Sequence, residues 1–250
     1  MISLTNMKKN AHAKGFTLLE LLIVIAIIAI LSIALVFMLN PAETLKKARD
    51  AQRISDLKTV KTALGIMLTA SSTPSLDNFA AAAAASSTCL TSTTWGGTTS
   101  NNTAAKISYS VSSVPTLAVA LTPGADTAAG AQTFGTTGYY SATPGKVDGN
   151  GWIPVNLKAL TGGTPISSFP VDPTNTVTAT VASGDLVYRY ACQNGSNTAG
   201  KPAYIFEIDA VLESQAYKTD ELKMAKDGGD NDSYYETGNS LNLLPISGAF

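Results

Sequence analysis

Lys14-Gly15-Phe16-Thr17-Leu18-Leu19-Glu20, followed by LLIVIAIIAILSIALVFML through Leu39, is the stretch around which the chain is read. After Glu20, nineteen residues pass with Ser32 as the sole polar interruption. At about 1.5 Å of rise per residue, a helix of that length matches the ~30 Å of hydrocarbon in a bilayer. The entrance distinguishes this run from a plain anchor. A carboxylate stands at its head, and a charge at mid-bilayer costs about 2.5–3.5 kcal/mol even on lenient insertion scales. Such a group reads as functional, and it calls for a cationic partner.

The flank on the N-terminal side is basic. Lys8, Lys9 and Lys14 occupy residues 1–15 with no acid among them. By the positive-inside rule this end stays cytoplasmic and everything after Leu39 is exported. A secretory signal would be cut after the apolar run, beside small A-x-A-like residues. The residues found there, Met38-Leu39-Asn40-Pro41-Ala42-Glu43, make a poor site of that kind.

Lys-Gly-Phe-Thr-Leu-Leu-Glu before a long apolar helix resembles the N-terminal signature of type IV prepilins and type II secretion pseudopilins. The resemblance implies a prepilin peptidase that cuts on the cytoplasmic side, between Gly15 and Phe16, and methylates the new N-terminus at Phe16. It also implies the missing partner. Glu20, fifth residue of the processed chain, would neutralise the Phe16 ammonium of a neighbouring subunit during assembly. Opposite charges attract strongly in a low dielectric, and either one alone is costly there.

Beyond the membrane, Asn40-Pro41 is expected to kink or loosen the helix, because proline removes a backbone donor and clashes with the preceding turn. Ala48, Ala51, Ile54, Leu57, Val60, Leu64 and Met67 then form an apolar stripe at three- and four-residue spacings. Glu43 and Lys47 make a favourably oriented i,i+4 pair. The remaining positions, including Lys46, Arg49, Asp50, Arg53 and Lys61, read as a solvated basic face, with the stripe packed under a globular head.

Pro74 marks the end of the helix. Ser75 is a candidate N-cap for a short helix over Ala80–Ala85, with a low-complexity tract as the alternative. Short β-type runs follow at Lys106–Val111, Thr116–Leu121, Val177–Val181, Leu186–Ala191 and Ala203–Leu212, bounded by Pro, Gly and Asn turns. Tyr188, Tyr190, Tyr204, Phe206 and Ile208 alternate with polar or small neighbours, so one sheet face should lie on the helix and the other should meet water. Gly151–Val155 and Phe169–Asn175 resemble turn segments of pseudopilin heads, and Asp172-Pro173 has its own turn chemistry.

The expected fold is therefore α+β and pilin-like: a long N-terminal α-helix packed against a C-terminal antiparallel β-sheet head. The expected organisation is a leader at 1–15, a membrane or filament-core half-helix at 16–40, an amphipathic half at 41–70, and an extracytoplasmic head at 71–250.

Composition excludes several functions. The only histidine is His12, in the leader, so a processed chain has neither a His-based nucleophilic site nor a His-ligated zinc. There is no P-loop, dinucleotide fingerprint or nucleophile elbow. The chain reads as a non-enzyme. Net charge is −1 and charged residues are 14%, so no basic patch announces a nucleic acid. Cys89 and Cys192 lack CxxC spacing; they could form a disulfide in an oxidising compartment or remain buried thiols. Asp227, Asp230 and Asp232 offer hard oxygens suited to calcium, and calcium in a C-terminal loop has precedent among pseudopilins. The segment is not an EF-hand loop, because Gly238 stands where the bidentate glutamate should be. A solvated acidic turn is the competing reading, and no cofactor is expected otherwise. Asn101, Asn194 and Asn231 lie in N-x-S/T sequons but, with a bacterial leader, are assigned no glycan.

Together these residues point to a structural subunit of a type IV pilus-like or type II secretion pseudopilus filament. Its partners would be the membrane, prepilin peptidase, and copies of itself or other pilins. It would stay a single-pass cytoplasmic-membrane protein until assembled. The alternative is a minor or tip pilin, or a surface adhesive module that uses the anchor for export.

Overall fold

The structure, a computed structural model, describes residues 15–77, 88–90, 105–113, 116, 134, 137–177, 180–194 and 203–246. It divides into two compact units, Met1–Thr44 and Leu45–Phe250.

In the first unit, α1 (Leu18–Leu39) is one unbroken helix whose described side chains are all exposed. Leu18–Val36 is long and apolar enough to cross a membrane. The lone hydroxyl inside it is satisfied locally, since Ser32 Oγ donates to the Ile28 carbonyl at 2.7 Å. That bond removes the cost of carrying a bare polar group among hydrocarbon. The helix stops outright at Asn40, which adopts a left-handed conformation with φ 38°. Asn is one of the few non-glycine residues that visit this region readily. Pro41 then begins α2 (Pro41–Ala70), a position where its missing N–H costs nothing. Asn40 also starts the new helix, because its carbonyl accepts Glu43 N at 3.0 Å and Thr44 N at 3.2 Å. The expected kink is thus a full break, capped from both sides by one asparagine.

In the second unit, the sheet has four antiparallel strands in the order β1 (Ser108–Tyr109), β2 (Tyr188–Gln193), β3 (Ile205–Ala210) and β4 (Tyr235–Gly238). β1 and β3 fall within the sequence-predicted runs at 106–111 and 203–212, and β2 overlaps the 186–191 run but is shifted two residues toward the C-terminus. Of the predicted 116–121 run, Thr116 makes isolated bridges to Thr137 and Thr180, and the rest lies outside the described residues. Of the 177–181 run, residues 178 and 179 lie outside the described residues; Thr180 bridges singly to Thr116, and Thr176 just before the run bridges to Leu186. β4 was not expected, because its sequence, Tyr-Glu-Thr-Gly, follows the acidic segment and has no apolar alternation. The Ala80–Ala85 helix lies outside the described residues. The Ser75 hydroxyl donates to the Asp77 carbonyl, and no capping bond from it is seen among the described residues.

Strand pleating separates two cores. Tyr188, Tyr190, Cys192, Phe206, Ile208 and Ala210 turn to Leu57, Val60, Ala63, Leu64 and Met67 of α2, with Trp152 wedged among them. The opposite face was expected to meet water. Instead Val187, Ala191 and Ile205 pack with Tyr109, Phe134, Leu243 and Leu244 in a second core. Every residue of β2 and β3 is consequently buried. The helix stripe needs the same kind of correction. Its lower half, from Leu57 onward, is buried, whereas Ala48 and Ala51 are exposed and Asp50 and Arg53 are buried in their place. Lys47 forms an ion pair with Glu221 at 3.7 Å. Cys89 and Cys192 are joined by a disulfide, which ties the 88–90 segment to β2; Leu90 N donates to the Cys192 carbonyl at 2.7 Å.

Candidate functional site

The entrance to α1 is built by its own first turn. Gly15 and Phe16 are exposed and non-helical, and a Cβ placed on Gly15 would touch nothing within 4 Å. Phe16 is 85% exposed, so both sides of the Gly15–Phe16 bond are open. Thr17 is the N-cap, with extended backbone at φ −79° and ψ 150°. Glu20 Oε2 accepts from Thr17 N at 2.9 Å and from Thr17 Oγ1 at 2.8 Å. In return Thr17 Oγ1 accepts from Glu20 N at 3.2 Å. This reciprocal arrangement is a capping box, and it satisfies two donors that a helix start would otherwise leave orphaned. Thr-x-x-Glu is its sequence signature, so the role of Thr17 as the cap is legible in the sequence. The box also stations a carboxylate at the positive end of the helix dipole, next to the Phe16 main chain. Glu20 is exposed, and this local ring of bonds uses only one of its two carboxylate oxygens.

The second constellation is a charged seam where α2 meets the head. Arg53, fully buried, reaches Asp172 through Nε at 2.6 Å and Nη2 at 2.9 Å, a two-pronged pair. Its Nη1 serves Asp50 at 2.8 Å and Glu213 at 2.6 Å. Arg49 binds Glu213 with a second two-pronged pair, at 2.9 and 2.7 Å. The carboxylates are in turn held by backbone. Asp50 accepts from Glu213 N and Ser214 N, and Asp172 accepts from Thr174 N and Asn175 N. The Asp172-Pro173 turn expected from sequence is therefore also the anchor point for α2. Hydrogen bonds from Arg49, and then from Arg53, hold Glu213 down at about 2 against the opposing effect of burial. The reading of Arg49, Asp50 and Arg53 as a solvated face does not hold. Nothing in helical periodicity reveals which charge on a helix will meet a turn 119 residues away.

The third cluster is acidic and lies on β3 and β4. Glu207 Oε2 accepts from Leu243 N at 2.6 Å and Leu244 N at 2.8 Å, which fastens the 241–246 segment across the sheet. Glu236 shares a hydrogen bond with Glu207, and burial together with that neighbour drives its pKa well upward. Asp209, fully buried, is pushed up to about 8 chiefly by burial, with Arg189 opposite at 3.6 Å. Arg189 also lies 4.7 Å over the Tyr234 ring.

The calcium candidates sit beside this cluster in a different role. Asp227 accepts from Gly229 N at 2.9 Å and Glu236 N at 2.7 Å, closing the turn into β4. A Cβ on Gly229 would fall 1.6 Å from Glu236 Oε2, so any larger residue there would displace the Glu236 carboxylate from its present bonds. Asp230 is half-buried and Asp232 exposed. Gly238, noted as the missing EF-hand ligand, is the last residue of β4. Among the described residues, no three carboxylate, thiol or imidazole side chains are grouped to hold a metal.

Residues 10–36 match the family model for the prokaryotic N-terminal methylation motif. This N-terminus is of the prepilin type. The match spans the Gly15–Phe16 bond, the Thr17–Glu20 box and most of α1, and it does not extend into the head. No curated protein and no solved structure matches the chain. The motif accounts for a basic leader before an apolar helix, and the structure adds an exposed junction and a capped carboxylate at that point.

Proposed function

We propose that this chain is a structural subunit of a type IV pilus-like or type II secretion pseudopilus filament. It is cut between Gly15 and Phe16, N-methylated at Phe16, and waits in the cytoplasmic membrane on α1 with its head outside. Assembly then transfers α1 from lipid to a bundle of its own copies. The observation that carries this reading is the methylation motif at 10–36, which overlaps an apolar helix whose described side chains are all exposed.

The charge argument gives the mechanism. Cleavage creates an ammonium at Phe16, one residue before the cap. Glu20 already uses one oxygen to close its own helix, which leaves the carboxylate oriented and its other oxygen free to receive a neighbour's amine. Preorganisation reduces the ordering cost of that contact, and pairing removes the penalty of two separate charges in an apolar bundle. Axial register between subunits follows, because a displaced neighbour would leave both charges unpaired.

Glu20→Gln separates capping from charge. The amide oxygen can still accept from Thr17 N, so export and membrane insertion should match wild type, whereas filament yield should fall at least tenfold. Wild-type filament yield from Glu20→Gln would contradict the charge-register mechanism.

A further inference from the structure

The head carries a recess with a composition unlike its surroundings. A cavity of about 590 Å³ is lined by Lys106, Tyr139, Tyr140, Ser141, Lys146 and Asn150 among others. The stretch from 71 to 188 contains three lysines, Lys106, Lys146 and Lys158, and no arginine. Two of those three converge on this one cavity, although forty residues separate them in sequence. No carboxylate is among its described lining residues. The nearest acid identified, Asp148, feels both Lys146 and Lys158, and its ion pair is with Lys158 at 3.8 Å.

The framework is rigid. Tyr139 N donates to the Ile107 carbonyl at 2.8 Å and its own carbonyl accepts from Tyr109 N at 2.9 Å, which fixes the Lys106 side of the recess against the Tyr139 side. On the other wall, Trp152 N donates to the Pro144 carbonyl at 2.9 Å. A Cβ on Gly151 would lie 1.9 Å from the Lys146 carbonyl, so the loop doubles back tightly under Lys146. Ser141 Oγ donates to the Asn150 carbonyl and accepts from Thr143 N, bracing the rim from within. Tyr140 is 37% exposed at the edge, offering a ring face.

We propose that this recess binds an acidic oligosaccharide, with Lys106 and Lys146 pairing to sugar carboxylates and Tyr140 stacking on a pyranose face. Two ammoniums supply charge-assisted contacts. Aromatic rings are natural platforms for apolar sugar faces, which suits a saccharide between the two lysines. Nucleic acid fits less well, since it requires a basic stripe able to neutralise many phosphates in succession. The site is independent of filament assembly and would serve a bulk subunit or a tip subunit equally.

The test uses the full mature chain in detergent micelles and calorimetric titration with three probes: tetragalacturonate, maltotetraose and a single-stranded DNA 12-mer. Tetragalacturonate should bind, weakening as salt is raised, and should be favoured over the other two. The double variant Lys106→Ala/Lys146→Ala should lose at least tenfold in affinity while melting at the wild-type temperature. Tyr140→Ala should lose about threefold, and Lys61→Ala, exposed on α2 and outside the cavity lining, should bind as wild type. Absence of tetragalacturonate binding, equal binding of maltotetraose, tighter binding of DNA, or undiminished affinity in the double variant would each overturn the proposal.

Discussion

Arg53 shows how much a single side chain decides in this head. It is wholly buried and neutralised by Asp172, Asp50 and Glu213 from three different segments. Removing one partner of a buried network leaves the others charged and unpaired, at a cost of about 3–5 kcal/mol. Arg53→Ala should therefore lower the melting temperature of the detergent-solubilised chain sharply. Lys47→Ala, which breaks the half-exposed pair with Glu221, should change stability by less than about 1 kcal/mol. Equal melting of the two variants would show that the buried seam contributes no more than a surface pair. Glu213 sets the acid limit of the seam. Its folded pKa, held at about 2, lies below the unfolded value, so its stabilisation is complete above pH ~4.5 and is lost as pH falls toward 2.

At the scale of elements, β3 and β4 impose the opposite pH dependence. Glu207, Asp209 and Glu236 are buried acids whose folded pKa values are raised, mainly by burial. The folded state therefore holds more protons than the unfolded chain above pH ~4.5, and stability falls as pH rises, through about 8 for Asp209. The head should melt at a lower temperature at pH 9 than at pH 5. Glu236→Gln keeps a donor toward Glu207 without needing a proton, so the pH 9 value should rise and the slope between pH 5 and 9 should flatten. A steeper slope in the variant, or a head more stable at pH 9, would contradict this. These strands also show where sequence reading reaches its limit. β2 and β3 were legible because Tyr, Phe and Ile alternate, and alternation reports the face with the larger apolar groups. Arg189, Glu207 and Asp209 on the opposite face looked solvent-directed. They are buried because Tyr109 of β1 together with Leu243, Leu244 and Phe134 covers them, and the last three come from segments with no periodicity to announce them. β4 was missed for the same reason. At the helix break, by contrast, Asn40-Pro41 carried its own local chemistry and could be read directly.

For the whole molecule, a covalent link in the head and the motif at the N-terminus bracket the chain. The Cys89–Cys192 disulfide closes a loop of sequence separation 103, nominally about 4.7 kcal/mol of chain entropy. Reduction, or Cys89→Ser with Cys192→Ser, should lower head stability by an amount of that order. Identical melting of the oxidised and reduced chains would remove the disulfide from the ledger of stabilising features. At the N-terminus, the residues that carry the functional reading were contiguous, so Gly15, Phe16 and Glu20 could be named from sequence. Thr17 completes the group only once its hydrogen bonds are seen. The seam around Arg53 needed the fold, because its members are scattered over residues 49 to 213.

The claim on which the rest depends is that the apolar helix begins its working life at Phe16, with the leader gone and a new ammonium beside the Thr17–Glu20 cap. Intact-mass and N-terminal peptide mass spectrometry of the chain purified from its native membrane measures this directly. The account predicts a mature protein that starts at Phe16 and carries one methyl group on its α-nitrogen. A protein that starts at Met1, or one cut near Ala42 on the far side of the helix, would contradict it.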